Sequence, residues 1–392
     1  MAHRTARRYS AAIVTVCVGL LASGCSSDSK QGDETTPASV DAATTTTSKP
    51  KPTTTTASPT TDVETSDATD STGVDTTDPE PAVPVYPLTG LPILDPVAAA
   101  RPAMVVKIDN HPDARPQSGL NEADIVYEEN VENLTRFAAV FHSNGADPVG
   151  PIRSGRTQDV DLLGSLNKPI FVWSGGNARV SAAINGSDLV PVNETKAGKA
   201  MFRNKDRGLG PTGSPHNLYG NVSAFYGFAA PDAGPPPQQF EYRKSGSAPS
   251  TGEDSDGVKV SMDGIQVRWQ WDPATKTYLR FSDEKVHKDH LTDAQLATSN
   301  VVILYVDYRP SPADGRSPEA QTEGYGVAWV FTGGKYIQGS WVRTDRLQPF
   351  TLADLDGKPI LLAPGHTFIE LARSAKGADI PAGADPATIE YP

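Results

Sequence analysis

The chain is almost without cysteine: its 392 residues include two, Cys17 and Cys25. Everything beyond residue 25 therefore folds without a disulfide, carries no thiolate nucleophile and offers no sulfur ligand to a metal. Long apolar runs are scarce as well. The uncharged, mostly apolar stretch Ala11 to Ala22 has twelve residues; as a helix it would span about 18 Å, against a hydrocarbon core of about 30 Å. That length argues against a permanent transmembrane helix. Basic charge is in deficit, with 35 Lys and Arg against 47 Asp and Glu and a net charge of −12. The sequence thus lacks the basic balance of a nucleic-acid partner. No P-loop and no Gly-x-Ser-x-Gly elbow occurs, and nothing in the sequence calls for a cofactor.

What is present begins with a leader. Arg4, Arg7 and Arg8 precede the apolar run, and Ser23-Gly24 places two small residues before Cys25. This is the charged, apolar, small-residue order of a signal peptide, here residues 1–24. The string Leu21-Ala22-Ser23-Gly24-Cys25 resembles the bacterial lipobox, with Ala22 standing where Leu is usual. The resemblance implies lipid (a diacylglyceryl group and palmitate) on Cys25, and two or more acyl chains give stable anchoring on the extracytoplasmic face of a membrane.

Residues 25–84 carry the lipidated Cys and then a Thr/Ser/Pro-rich stretch with the runs Thr44–Thr47 and Thr53–Thr56. Val40, Val63, Val74 and Val83 are its only larger apolar side chains. No core can form from them, so chain entropy is expected to keep the segment a disordered linker. It holds most of the acidity: with its −8 and the leader's +3 removed, residues 85–392 retain −7 of the total −12.

From Val85 the composition is globular, and Pro235-Pro236-Pro237 marks a boundary within it. The expected fold class is α+β: a mixed α/β domain over 85–229, then a β-rich, mainly antiparallel domain over 238–392. In the first, apolar runs predict strands at Ala103–Ile108, Ile125–Tyr127, Phe137–Phe141 and Ile170–Trp173. Helices are expected at Thr157–Leu166, Asn177–Ile184 and Asn217–Phe228. In the second, strands are expected at Val258–Met262, Ile265–Trp271, Thr277–Phe281, Val301–Val306, Gly326–Phe331, Tyr336–Val342 and Thr367–Leu371. Asp263-Gly264 and Gly333-Gly334 supply hairpin turns, and Thr292–Leu296 one helical turn. Trp269, Trp271, Trp329 and Trp341 fall in alternating strand patterns and read as core.

The polar strings between these runs resemble the YerB-like lipoprotein family. They include Pro87-Leu-Thr-Gly-Leu-Pro92, Asn110-His-Pro-Asp-Ala-Arg-Pro-Gln-Ser-Gly-Leu120, Gly150-Pro-Ile-Arg-Ser154 and Pro215-His-Asn-Leu-Tyr219. Trp271-Asp272, His287-Lys-Asp289, Gly339-Ser-Trp341 and Asp356-Gly-Lys-Pro-Ile360 extend the likeness into the second part. Phe368 departs from the Trp usual in the family. The resemblance implies a two-part extracytoplasmic lipoprotein and no particular reaction.

Polar residues collect at the expected strand ends of the first domain, where α/β folds place ligands. Asn110, Arg115, Gln117, Glu128, Arg153, Arg156, His216 and Asn217 are the candidate ligand-binding residues. Arg153, Arg156 and the N–H groups of a helix start capped by Thr157 suit an anion. Ordering of loops by buried pairs is the competing explanation. His287, Asp289 and His290 offer metal-ligand types in four residues, but such strings on exposed hairpins are mostly solvated, and no metal is expected. Three roles stay open: a non-catalytic binding module for an anionic cell-wall component or an envelope protein, a cell-envelope hydrolase using carboxylate and His residues, and a scaffold acting through the β-rich part. The anchor is checked first. Cys25→Ser should move the protein from the membrane fraction to the soluble extracytoplasmic fraction; continued sedimentation with membranes would refute lipid attachment at that residue.

Overall fold

The computed structural model describes residues 83–374, apart from the side chain of Arg207, and the backbone of a strand at 389–390. The leader, Cys25 and the linker up to residue 82 lie outside the described residues. The first half supplies β1 (Met104–Asp109), β2 (Ile125–Val131), β3 (Leu134–Phe141), β4 (Ile170–Val172), β5 (Val190–Val192), β6 (Met201–Arg203) and β7 (Leu218–Gly220). Its helices are short: α1 (Pro96–Ala100), α2 (Gln158–Leu162), α3 (Ala178–Asn185), α4 (Glu194–Ala197) and α5 (Val222–Phe225). The second half opens with β8 (Glu253–Asp254), β9 (Gly257–Met262), β10 (Ile265–Asp272), β11 (Thr277–Ser282), β12 (Lys285–Val286) and β13 (Ala297–Thr298). It continues through β14 (Asn300–Val306), β15 (Tyr308–Pro310), β16 (Pro318–Ala320), β17 (Gly324–Thr332), β18 (Lys335–Arg343), β19 (Thr351–Asp354), β20 (Thr367–Arg373) and β21 (Ile389–Glu390). The fold is α+β, with a strand-rich second half.

Strands of both halves join in one eleven-stranded sheet of order β19-β18-β17-β14-β20-β2-β3-β1-β4-β5, with β8 paired to β18. The seam is a parallel pairing of β2 with β20 that sets Ile125 against Thr367 and Glu128 against Glu370. The segment 229–239 carries the chain from one half of this sheet to the other. A second sheet of order β12-β11-β10-β9-β21, with β13 on β11, lies over one face. There Val258, Val267, Trp269 and Tyr278 share a core with Val106, Val126, Phe137 and Phe368. On the opposite face Leu162, Val180 and Ile184 of α2 and α3 pack with Val105, Tyr127, Val302 and Leu371. Covered on both faces, the central strands are buried almost end to end rather than on alternate residues, and charged side chains such as Lys107 and Glu128 are buried with them. The outer strands β9 to β11 alternate, and β11 buries Tyr278, Arg280 and Ser282 while their neighbours are half-buried.

The hairpin turns stand where expected. Gly333 and Gly334 both have positive φ, +61° and +76°, as a two-residue turn of this type requires. Gly264 (φ +77°) joins β9 to β10, and a Cβ there would meet the Asn133 carbonyl oxygen at 2.2 Å. This hairpin tip is thus pressed against the β2–β3 loop of the first half.

Several expectations are corrected. The second strand does not stop at Tyr127 but runs to Val131 with every residue buried, because each charged side chain on it meets a buried partner. The stretch 217–228 is not one helix: Leu218–Gly220 pairs with β6, and only Val222–Phe225 is α-helical. Thr292–Leu296 forms a turn closed by a Lys288–Gln295 bridge instead of a helical turn. Thr157 makes no side-chain cap on α2; Asp159 accepts from the Arg156 N–H at 2.6 Å instead. Trp269, Trp329 and Trp341 are buried, whereas Trp271 is only partly covered and rests on Tyr278.

Candidate functional site

β1, β4 and β5 run parallel, and their carboxyl ends point to the same edge of the sheet. The segment 150–155 is stitched beside them. Asp109 donates its N–H to the Pro151 carbonyl at 2.9 Å, Arg153 to that of Lys107 at 2.8 Å, and Ser174 to that of Arg153 at 2.9 Å. On its other side the Ile152 N–H donates to the Leu218 carbonyl at 2.5 Å, which brings β7, and His216 just before it, against the end of β1. Residues distant in sequence meet here through backbone pairing.

The candidate residues separate into two groups. Asn110, Arg115, Gln117 and Glu128 enter a buried network whose other half comes from β11, β20 and the 287–290 turn. Glu128 is fully buried and ion-pairs with Arg280 at 2.5 Å. Its other oxygen accepts from Thr135 at 2.6 Å and from Asn110 Nδ2 at 3.0 Å. Arg280 also donates to His287 Nδ1, so the His287 proton sits on Nε2, which faces Gln117 Oε1 at 2.7 Å. Gln117 Nε2 then donates to the Asp109 carbonyl at 2.9 Å and to Asn110 Oδ1 at 3.1 Å. Arg115 donates to the same Asn110 Oδ1 at 3.0 Å. Burial, and then the Arg280 charge, hold the His287 imidazolium well below its usual range, so the ring is neutral. The bonds run unbroken from Glu128 through Arg280, His287 and Gln117 to Asn110, with Arg280 Nε left buried and without a partner; a connected interior chain of this kind orders the elements it joins.

Glu370 completes it. It faces Glu128 across β2–β20 and accepts from Trp269 Nε1 at 2.8 Å. Burial, then the Glu128 carboxylate, raise its carboxyl well above the ordinary range. One cation, Arg280, thus serves a carboxylate and a carboxylic acid. A similar triplet lies on the other face of the sheet. Lys107 pairs with Glu129 at 2.5 Å and Asp159 at 2.7 Å, all three fully buried. Burial and then Asp159 raise the Glu129 carboxyl against the pull of Lys107.

The second group reaches solvent. Asp109, 5% exposed, takes Arg153 Nε at 3.0 Å and His216 Nδ1 at 2.7 Å on one oxygen. His111 stacks on His216, with ring centroids 4.4 Å apart and planes at 15°. Arg156 holds Glu132 through two contacts of 2.9 and 2.7 Å. Arg136, almost buried, donates to the Ser154 carbonyl at 2.9 Å. Burial and then Arg156 and Arg153 lower its guanidinium to about 10, while Asp109 and Glu132 oppose them. Three guanidiniums therefore crowd two carboxylates. Ser154, Arg156, Ser174, Gly175, Asn177 and the carboxylate of Asp314 line an open depression of about 440 Å³ at this edge.

Asn217 joins neither group; it donates to the carbonyls of Asn204 at 3.1 Å and Thr212 at 2.9 Å and so orders a loop. His287, Asp289 and His290 do not converge. His287 belongs to the buried network, and Asp289 accepts from the Leu120 N–H at 2.6 Å and the Leu291 N–H at 2.8 Å. The ring of His290 lies 2.9 Å from the Gly208 carbonyl. Sequence reading missed Lys107, Arg136, Arg280 and Glu370. The signal available for three of them is a charged residue at an inward position of an apolar or alternating strand.

Two variants test the network. Arg280→Met leaves the Glu128 carboxylate buried without a cation and should cost about 3–5 kcal/mol in urea unfolding; a loss below about 1 kcal/mol would contradict that. Glu370 binds a proton in the folded state that the unfolded chain releases above its ordinary value of 4.5, so its contribution to stability falls as pH rises from there. Glu370→Gln keeps an acceptor for Trp269 Nε1 and does not titrate. Its stability relative to wild type should increase from about pH 5 to about pH 8, read by thermal unfolding; an unchanged difference would place the titration elsewhere.

Two family models match this chain. Residues 88–234 match the N-terminal domain, and residues 258–369 the C-terminal domain, of a protein of unknown function (DUF3048). The chain is 30% identical over 305 residues to a protein named putative lipoprotein YerB from Bacillus subtilis (strain 168), covering 76% of this chain and 88% of that protein. The crystal structure of YerB from Bacillus subtilis superposes with a TM-score of 0.63 at 27% identity, over 74% of this chain and 96% of that one. With both halves matched in order and the same fold beneath them, this chain belongs to the YerB-like DUF3048 family.

Proposed function

We propose that the protein is a lipid-anchored extracytoplasmic lipoprotein that binds an anionic envelope ligand at the carboxyl edge of β1 and β4, without turnover. The leader-like stretch ahead of Cys25 supports the anchor, as does the relative named a putative lipoprotein. Among the described residues no helix is long and apolar enough to cross a membrane.

The observation that carries the binding reading is the charge balance at that edge. Arg153 pairs with Asp109 and Arg156 with Glu132, Arg136 lies in the field of both carboxylates without an ion pair of its own, and Arg153 remains a quarter exposed beside His111 and His216. A phosphate or carboxylate there would take donors that internal carboxylates leave over. A hydrolase built on Glu128 finds no support, because both its oxygens are committed to Arg280, Thr135 and Asn110 in the interior. A scaffold using an open sheet edge fares no better at β19, whose outer side is covered by 358–360 through the Asp354–Lys358 and Ile360–Leu352 backbone bonds.

Thermal-shift measurements with a muropeptide carboxylate in one arm and a polyol phosphate in the other test the reading. At least one should raise the unfolding temperature of wild type, and Arg153→Ala should remove most of that rise. No response from wild type, or an equal response from the variant, would overturn it.

A further inference from the structure

The cluster at the end of β1 has a property that anion binding does not use. His111, Asp113 and His216 each place one potential ligand atom within 4.8 Å of the other two. The carboxylate of Asp109 accepts from Nδ1 of His216 at 2.7 Å, which leaves the Nε2 lone pair of that ring directed away from Asp109. A carboxylate holding the far nitrogen of an imidazole is the usual support behind a metal-ligating histidine, where it sets tautomer and orientation. We propose that His111, Asp113 and His216 bind a divalent transition-metal ion of the zinc class, with Asp109 as the residue that positions His216.

The donor set and the exposure agree with that assignment. Two imidazoles and one carboxylate suit zinc, and three protein ligands leave a coordination position open. Asp113 is 77% and His111 36% exposed, so an ion can reach the site from solvent and exchange. Bonds of about 2.0–2.2 Å bring ligand atoms to roughly 3.5 Å of one another, which asks the donors to close by about an ångström. His111 must also turn. Its ring lies 4.4 Å from that of His216 at 15°, and two parallel rings cannot both direct a lone pair at one ion. The bond found at His111 Nδ1, from the Asp113 N–H at 3.2 Å, is a long one, so the half-exposed ring can leave the stack at little cost.

This inference is independent of the anionic-ligand reading, and its probe is the metal alone. The full chain in detergent, stripped with EDTA and titrated with zinc chloride in a calorimeter, should take up one ion per molecule at this site. Asp113→Ala and His216→Ala should each weaken uptake at least tenfold, while His290→Ala should not. Cobalt(II) should give a visible absorption band in wild type that Asp113→Ala loses. Asp113 lies on the surface, so its variant separates ligand loss from misfolding, and circular dichroism checks the same for His216→Ala. Absence of zinc uptake by wild type, or uptake unchanged in both variants, would overturn the site. Either result leaves the Arg153→Ala thermal-shift comparison to decide the anionic ligand separately.

Discussion

The ion pair of Glu128 and Arg280 fixes how the two halves of this protein meet. Glu128 lies on β2 at the seam, Arg280 on the inward face of the overlying sheet, and neither touches water. A buried charge left alone would cost several kcal/mol, so a slipped register or a rotated sheet that separated them would be strongly disfavoured. The pair then spreads its constraint. His287 and Gln117 relay it to the end of β1, Thr135 to β3, and Glu370 to β20. Apolar burial supplies the bulk of the stabilisation around it, through Trp269, Phe137 and Phe368, but apolar contact alone has no direction.

That interior network also determines what the surface can do. The same end of β1 that feeds Gln117 and Asn110 into the core presents Asp109 and His111 outward. The backbone pairing of 150–155 with β1 and β7 brings Arg153 and His216 to them. Most polar atoms of the inward residues are committed to one another, with Arg280 Nε and Glu370 Oε2 as exceptions, while His111 and Arg153 keep part of their surface in solvent. The polar groups of this edge lie between the buried core and the loops beyond the strand ends, where sheets with parallel strands commonly hold ligands.

Much of the architecture is legible in the sequence because it rests on local periodicity. The strands around Val105 in β1, Ile303 in β14, and Phe137 and Phe141 in β3 are short apolar runs. The hairpin glycines at 264, 333 and 334 carry the positive φ their turns need. Where a polar residue interrupts the period, sequence reading stops early. Glu128, Glu129 and Asn130 look like the end of β2, and only their buried partners let the strand continue to Val131. The candidate site residues mix two populations for the same reason. Asn110, Gln117 and Glu128 are the residue types an open site would use, and their partners Arg280 and His287 come from another part of the chain.

By itself the sequence determined the order of segments: a basic then apolar stretch ahead of Cys25, a Thr-rich stretch poor in apolar side chains, and a cysteine-free body of mixed and then strand-rich pattern. These depend on composition and near-neighbour spacing, which a linear chain displays. Only the tertiary structure decided that strands of both halves form one sheet, that Glu128 is a core residue, and that His216 is a neighbour of His111 and Asp113. Those outcomes depend on pairing between distant strands and on which charges find a partner out of water, and neither is a property of any local stretch of residues.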